Sequence, residues 1–311
     1  MAGGGRTSSG TAKKKGSGGK GRRALAGRGA TPPAHMRHWY NAKYGTAASP
    51  QKTTARQTRA KRGEDAPEIV SGRNPVVEAL RGGVPASALY VAQRIDNDER
   101  VREAIQTAAD RGIPLMEVTR EQLDRLTERT VPQGLALQVP PYEYAHPMDL
   151  VEAAREAAET PLVVALDGVT DPRNLGAIAR SAAAFGAHGL LVPARRSVGV
   201  TAGAWKTSAG TLAHLPVARA ANLNTALRGY REAGLFVVGL DGTAEQDIAD
   251  VGLATEPLVV VVGSEGKGLS RLVREHCDVL ARIPMSAAIE SLNAGVAAGI
   301  ALYEIARRRR G

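Results

Sequence analysis

The stretch PLVVVVGSEGKGLS, residues 257–270, holds an unbroken apolar run that gives way to a glycine-rich loop. Similar short runs of valine and leucine recur through the second half of the chain and alternate with segments of helical periodicity. A strand in a parallel sheet is covered on both faces, so it is apolar along its whole length. The alternation therefore predicts an α/β fold whose parallel sheet is covered by helices on both faces.

Five segments are the predicted strands of this sheet, and a helix, DLVEAAREAAE, precedes them. The strands are PLVVALDG (161–168), GLLVP (189–193), LFVVGL (235–240), PLVVVVGS (257–264) and VLARIPM (279–285). In open parallel sheets, ligands bind beyond the carboxyl ends of the strands. The segments that directly follow these strands are therefore the candidate functional site.

A smaller β/α pattern occupies residues 68–141. The segments ALYVAQ, PLMEVT and QGLALQV are strand-like, as is the start of EIVSGRNPVVEALRGG. Helical patterns separate them, and glycines end two of these helices. The segment PYEYAHPMD (141–149) is interpreted as a linker to the second domain, residues 142–311.

Positive charge is concentrated at the N-terminus. Residues 1–62 carry 15 Lys/Arg and no Asp/Glu, and the remainder carries 26 basic against 31 acidic side chains, a net charge of −5. Such a Gly/Ser-rich segment buries too little apolar surface to offset its ordering entropy. We predict that residues 1–67 are a disordered basic tail. It is either an RNA-binding arm, in which Trp39, Tyr40 and Tyr44 stack on bases, a solubilising extension, or an organellar transit peptide.

Composition excludes several classes of protein. The single cysteine, Cys277, permits no internal disulfide and fits a reducing compartment; we interpret it as a core thiol. No apolar run is long enough to span a membrane, and no secretory signal is visible. No Cys/His cluster has metal-ligand spacing. A cytoplasmic protein without metal or membrane partner is expected.

The first candidate strand end is followed by VTDPRNLGAIARSAAAFGA (169–187). Asn174 and Arg180 are six residues apart, nearly two helical turns, so they can project toward a common side. An Asn cap and a surface arginine explain the same residues without any function.

The second candidate strand end is followed by the loop GSEGKGLS (263–270), which has neither of the common glycine-rich phosphate-binding patterns. Glu265 inside it would repel a phosphate. The loop therefore favours a ligand with hydroxyls or positive charge, and S-adenosylmethionine carries a ribose and a sulfonium. A tight turn with a solvent-facing Glu265 is the alternative.

The third is IPMSAAIESLNAGVAAG (283–299), where Glu290, Ser291 and Asn293 precede an Ala/Gly-rich helix. Helix starts gather unsatisfied backbone donors, which side chains such as Ser and Asn cap. Capping explains one of Ser291 and Asn293 but not obviously both.

Taken in order, three segments resemble the motifs of the SpoU/TrmH branch of the SPOUT methyltransferases. They are NLGAIARSAAAFG (174–186), VVVVGSEGKGLS (259–270) and IPMSAAIESLNAGVAAGIALYE (283–304), and KTSAGTLAHLPV (206–217) is similar to the segment that connects the first two. Residues 68–140 resemble the small L30e-like substrate-binding domain of ribosomal RNA members. Pro132 departs from the pattern, because RNA-binding relatives usually have histidine at this position.

The resemblance implies a parallel sheet with a C-terminal trefoil knot, a homodimer, and S-adenosylmethionine bound within the knot. It implies methyl transfer to a ribose 2′-OH of RNA, with a guanosine of 23S ribosomal RNA as the target. The residues that match the family's catalytic set are Asn174, Arg180, Glu265, Ser291 and Asn293. Backbone around Gly263, Ile283 and Leu292 is implied to hold the cofactor.

The role of Arg180 stays open between a base and an orienting group. A guanidinium normally remains protonated, which favours a group that orients the hydroxyl and stabilises developing negative charge. Three functional alternatives also remain: a transfer RNA 2′-O-methyltransferase, a non-catalytic ribosome-assembly protein that binds RNA, and a nucleotide-dependent dehydrogenase. The glycine pattern and Glu265 count against the last.

Overall fold

The structure, a computed structural model, describes residues 66–128, 131–286 and 291–310. These residues fall within one compact unit. The predicted tail, with Trp39, Tyr40 and Tyr44, lies outside the described residues apart from its last two positions, and so does Glu290.

The described residues form two sheets from eleven strands. The strands are β1 Glu68–Ser71, β2 Ala88–Ala92, β3 Leu115–Val118, β4 Leu135–Val139, β5 Leu162–Asp167, β6 Gly189–Pro193, β7 Val217–Ala220, β8 Phe236–Leu240, β9 Gln246–Asp247, β10 Leu258–Gly263 and β11 Val279–Arg282.

Helices connect most of these strands. The α-helices are α1 Arg73–Arg81, α2 Glu99–Asp110, α3 Arg120–Leu126, α4 Asp149–Glu156, α5 Pro172–Ala184, α6 Ala202–Ser208, α7 Leu223–Glu232, α8 Arg271–His276 and α9 Ala294–Arg310. None of the helices in the described ranges is long and apolar enough to cross a bilayer.

The larger sheet has seven strands in the order β7-β6-β5-β10-β8-β11-β9, and every pairing in it is parallel. All five strands predicted from the apolar runs belong to it. Strands β5 and β10, side by side at its centre, are buried along nearly their whole length. The predicted fully covered parallel sheet is therefore confirmed, because only strands buried on both faces tolerate such uninterrupted apolar sequence.

The smaller sheet has the order β1-β4-β2-β3 and is mixed. Strand β4 pairs antiparallel with both β1 and β2, whereas β2 and β3 pair in parallel. Two of its three helices begin with side-chain caps that the sequence supplies, whereas α1 follows Gly72 without one. Asp98 accepts a hydrogen bond from the Val101 amide at the start of α2, and Thr119 and Gln122 form a reciprocal capping box at α3.

The segment predicted to be a linker is packed rather than loose. Ala145 pairs with β7 through two backbone hydrogen bonds, and the Tyr142 hydroxyl accepts one from the Val217 amide. Strand β1 of the small sheet also contacts helix α6, because a Glu68 carboxylate oxygen accepts from the Ala202 amide at 2.7 Å. The small sheet is therefore joined by a specific contact to a helix that follows β6 of the large sheet.

Helices α5 and α6 pack at unusually close range. A Cβ added to Gly176 would lie 2.4 Å from the Ala204 carbonyl oxygen and 2.8 Å from the Thr207 Cβ. Only glycine fits between these backbones. The small residues of the sequence thus let the helix that follows β5 lie tightly against its neighbour.

Candidate active site

Asn174 is placed by the turn between β5 and α5. Gly168 adopts φ +75, and Asp171 caps α5 by accepting a hydrogen bond from the Arg173 amide at 2.8 Å. Pro172 follows at the first helical position, where its missing N–H costs nothing. Asn174 lies in the first turn with only 7% of its surface exposed, so its amide needs partners.

Glu265 lies at the tip of the turn after β10. The backbone groups of Ser264 and Gly268 exchange hydrogen bonds of 3.0 and 2.9 Å, which closes the turn. A Cβ on Gly263 would lie 2.3 Å from the Gly268 carbonyl carbon. The sequence therefore needs glycine at residue 263 for the turn to fold back on the end of its strand.

Asn293 precedes α9 and caps it. Its Oδ1 accepts hydrogen bonds from the amides of Gly295 and Val296, at 2.9 and 3.3 Å. This satisfies two of the donors that a helix start leaves free. The side-chain NH₂ of Asn293 remains available for other partners.

The three predicted motifs meet in a closed triangle of side chains. Asn293 Nδ2 donates to Asn174 Oδ1 at 2.9 Å and to Glu265 Oε1 at 2.6 Å. Asn174 Nδ2 donates to the same Glu265 oxygen at 3.0 Å. Three residues 28 to 119 positions apart in sequence thus hold one another in place, and the bonds to Glu265 are strengthened because its acceptor is ionised.

Arg180 and Ser291 are not part of this triangle. Arg180 lies on the same helix as Asn174, is exposed, and has no hydrogen-bond or ion-pair partner among the described residues. Ser291 is also exposed and forms no hydrogen bond with them. Asn293 thus accounts for the cap at this helix start, which leaves Ser291 free to meet a ligand.

The three positions expected to hold the cofactor lie at or beside the ends of secondary-structure elements. Gly263 ends β10, Ile283 follows β11, and Leu292 directly precedes Asn293. Ile283 and Leu292 are half-buried. Bare backbone at Gly263 beside an exposed carboxylate at Glu265 fits a ligand with hydroxyls and positive charge, so the donor set suits S-adenosylmethionine.

The interpretation of Cys277 as a core thiol agrees with its surroundings. It follows α8, and burial raises the pKa of its thiol to about 12. Because the thiolate is the reactive form, such a cysteine is a poor nucleophile near neutral pH. Within the ranges the structure describes, no group of three His, Cys, Asp or Glu side chains is placed to hold a metal ion.

Sequence reasoning missed the part played by Gly295. A Cβ there would lie 3.0 Å from the Ala177 Cβ and 3.1 Å from the Asn293 Oδ1. Glycine therefore brings α9 against α5 and leaves room for the Asn293 cap. The signal in the sequence was the glycine directly after a capping Asn-Ala pair, where a good helix former would otherwise be preferred.

Two family comparisons cover most of the described chain. The SpoU rRNA methylase family matches residues 161–303, and the family of RNA 2′-O ribose methyltransferase substrate-binding domains matches residues 69–145. A protein of Mycolicibacterium smegmatis named uncharacterized tRNA/rRNA methyltransferase is 59% identical over 295 residues, which cover 95% of this chain and 93% of that protein. The chain belongs to the SpoU/TrmH family of RNA methyltransferases.

Solved structures agree with this assignment. The SpoU methyltransferase AviRb from Streptomyces viridochromogenes, in complex with the cofactor AdoMet, is 27% identical with a TM-score of 0.59 and covers 90% of this chain and 99% of its own. An AdoMet-bound rRNA methyltransferase from Sinorhizobium meliloti is 28% identical with a TM-score of 0.56 and covers 78% of this chain and 87% of its own.

Proposed function

We propose that the protein transfers a methyl group to a ribose 2′-OH of RNA, and that the target is a guanosine of 23S ribosomal RNA. The cofactor is S-adenosylmethionine, which supplies an electrophilic methyl group on its sulfonium. The observation that carries the proposal is the triangle of Asn174, Glu265 and Asn293, since it joins all three motifs at the carboxyl end of the central strands.

The three side chains of the triangle position the loops of the site and do not carry protons in this proposal. Both side-chain amides donate to one oxygen of Glu265, and Asn293 also donates to the amide oxygen of Asn174, so these side chains hold the loops in register. Precise positioning matters because displacement at the methyl carbon requires an in-line approach of the attacking oxygen. In this proposal Ser291 contacts the bound ribose.

Arg180 is proposed to orient the attacking hydroxyl and its adjacent phosphate. Its guanidinium is exposed and unpaired within the described residues, so no carboxylate neutralises it. A fixed positive charge stabilises the negative charge that develops on the attacking oxygen. This role requires no proton transfer to or from the guanidinium.

The test is methyl transfer from labelled S-adenosylmethionine to ribosomal RNA, followed by mapping of the methylated position on the nucleotide. The expected product is resistant to alkaline cleavage at the modified site, since a methylated 2′ oxygen cannot attack the neighbouring phosphate. A methyl group on a base would contradict the proposal. Arg180→Ala should abolish transfer while cofactor affinity, measured by calorimetry, stays near the wild-type value.

The small sheet is proposed to be an L30e-like domain that binds the RNA substrate, with the chain divided at residues 1–67, 68–141 and 142–311. A cavity of about 330 Å³ in this part is lined by Arg73 and Gln133 among others. Pro132 fits its turn, because only its carbonyl is used, accepting from the Leu135 amide at 2.9 Å. The missing histidine therefore leaves the fold of this loop intact.

Ribosomal RNA is favoured over transfer RNA by the substrate-binding domain ahead of the catalytic part. Comparing the 2′-O-methyl positions in RNA from cells with and without the protein decides between them. Loss of a site in transfer RNA alone would establish the other target. No lost site in either RNA, together with defective ribosome assembly, would support a non-catalytic role.

A second copy of the chain is proposed to cover one face of α9. Val296, Ile300 and Tyr303 recur at helical spacing and are 51%, 40% and 54% exposed. Tyr303 also packs edge-on against Phe185 beside α5, with ring centroids 5.8 Å apart. A contiguous exposed apolar face of this kind is typical of a protein–protein interface, and its contact with the helix of Asn174 supports a homodimer with active sites near the interface.

Light scattering coupled to gel filtration tests the dimer. Val296→Asp is expected to shift the protein to a monomer, because a carboxylate would be buried in the interface. Leu272→Asp is the matched control, since Leu272 is 50% exposed but lies on a different helix. If both variants keep the wild-type mass, α9 is not the interface.

A C-terminal trefoil knot completes the proposal. It is supported by the strand order, in which β10 lies between β5 and β8, and by the return of α9 to pack on α5. Tracing the backbone through residues 257–310 in an experimental structure with bound cofactor tests it. A backbone trace without a knot, in which the chain becomes straight when its two ends are pulled apart, would contradict the proposal.

A further inference from the structure

Two adjacent arginines follow β6, at the carboxyl ends of the strands, where the candidate active site also lies. Arg195 and Arg196 are both exposed. Arg196 has φ +60, a left-handed conformation that costs an arginine more than it costs a glycine. Strained backbone of this kind persists only where the surrounding structure holds it, and it concentrates at functional sites.

The segment that carries these arginines is anchored at both ends. The Val198 amide and the Ser197 hydroxyl both donate to the Val169 carbonyl, at 3.0 and 3.2 Å. Before the arginines, the Ala194 amide donates to the Ala220 carbonyl at 2.8 Å. A segment fixed in this way loses little entropy when its side chains bind a ligand.

The hydrogen bonds to the Val169 carbonyl connect the arginine segment to the turn between β5 and α5, which places Asn174. Val169 lies between the end of β5 and the cap of α5, five residues before Asn174. Strand β5 pairs with β6 on one side and with β10 on the other. Two strand spacings separate the end of β6 from the turn of Glu265, about 10 Å, or about three nucleotides of a stacked strand.

The carboxylates at the carboxyl ends of the central strands require nearby positive charge if an RNA backbone is to bind there. Asp167, Asp171 and Glu265 follow or end the central strands and would repel an RNA backbone. Among the described residues, Arg195 and Arg196 have neither an ion pair nor a hydrogen bond. By contrast, arginines such as Arg231 and Arg282 are paired with carboxylates. The two guanidiniums thus remain available for phosphate, to which they bind bidentately.

We propose that Arg195 and Arg196 clamp the phosphate backbone of the substrate RNA within about three nucleotides of the methylated ribose. The proposal rests on the function proposed above for the site but concerns residues outside the triangle and outside the three motifs. The clamp holds the strand against the rigid β6–α6 segment, so that the reacting ribose lies over the turn of Glu265. It reads no sequence, because phosphates carry none.

Binding of the full-length protein to bulk bacterial ribosomal RNA, measured across a range of salt concentrations, tests the clamp. Arg195→Ala and Arg196→Ala are each expected to weaken binding about tenfold and to lower the slope of log affinity against log salt by about 0.7. Arg196→Lys should recover most of the slope but less of the affinity, because lysine binds phosphate only as a point charge. Affinity for S-adenosylmethionine should not change.

Arg196→Gly separates the clamp from a structural role. Glycine adopts the observed φ without strain, so this variant should not unfold at a lower temperature than the wild type and should still bind RNA as weakly as Arg196→Ala. Arg228→Ala is the matched control. Arg228 is exposed in the second half of α7, which runs back toward the opposite edge of the sheet.

Each outcome bears on one proposal. If Arg195→Ala and Arg196→Ala keep the affinity and salt slope of Arg228→Ala, the clamp is wrong even when the wild type methylates RNA. If the wild type binds RNA but produces no 2′-O-methyl group, the proposed function fails, while the comparison of slopes still decides the clamp. A weaker binding that Arg196→Lys does not improve also contradicts a role for charge.

Discussion

Replacing Asn293 by alanine removes three interactions at once, and the structure allows their cost to be separated. The cap of α9 is lost, which costs about 0.5–2 kcal/mol. Asn174 Oδ1, on a side chain only 7% exposed, loses its donor, and an unsatisfied buried acceptor costs about 1–3 kcal/mol. The exposed Glu265 regains water in place of the amide, so we assign no cost to it.

We therefore expect Asn293→Ala to lower the free energy of unfolding by about 2–4 kcal/mol. For a unit of this size, each kcal/mol corresponds to about 2–4 °C in melting temperature. Asn222→Ala is the matched control, because Asn222 caps α7 through the Thr225 amide at 3.3 Å and has no partner in the triangle. It should cost only the cap, about 1 kcal/mol.

Asn293→Ser divides the effect further. Serine caps a helix about as well as asparagine, but it lacks the NH₂ that donates to Asn174 and Glu265. The free energy of unfolding from urea titration should fall between those of Asn293→Ala and the wild type, and methyl transfer should be lost in both variants. If Asn293→Ala costs no more than Asn222→Ala, the triangle contributes nothing and the reasoning is refuted.

Three further predictions concern packing and ionisation. Gly176→Ala should destabilise the fold by about 1–3 kcal/mol, since the added Cβ would lie 2.4 Å from the Ala204 carbonyl oxygen. Gly229→Ala, where the added Cβ meets no atom within 4 Å, should stabilise the fold by up to about 1 kcal/mol. Thermal unfolding of both variants measures the two effects. Cys277, whose thiol pKa burial raises to about 12, should react with iodoacetamide at pH 8 far more slowly than in urea. Burial acts to raise the pKa of Asp241, but hydrogen bonds from Thr243 and the charge of Arg274 outweigh it and lower the pKa. The ionised Asp241 therefore stabilises the fold above its unfolded-state pKa of about 4, and this stabilisation is lost as pH falls through the folded-state pKa. The free energy of unfolding of Asp241→Asn should consequently depend less on pH at about pH 2–4 than that of the wild type.

Short and edge elements were the part of the fold that the sequence did not reveal. Strand β7, VARA, carries Arg219 in its middle, and β9 has only two residues. Val217, Ala218 and Ala220 of β7 are buried, but the strand is too short and Arg219 interrupts it, so it forms no apolar run. Strand β9 is held at the edge of the sheet by backbone pairing with β11. The packing of the predicted linker at 141–149 was not visible either, because Ala145 pairs with Ala218 of β7, 73 positions away.

The apolar runs, by contrast, determined the parallel sheet from the sequence alone, because burial on both faces leaves a signature in every residue of a strand. The order of the motifs also determined which residues to consider: Asn174, Glu265 and Asn293 were all candidates before any contact was known. Only the tertiary structure decided that these three bind one another while Arg180 and Ser291 stay exposed. The physical reason is that a hydrogen bond depends on distances of a few tenths of an ångström, and those are set by how closely Gly176, Gly263 and Gly295 let separate backbones approach.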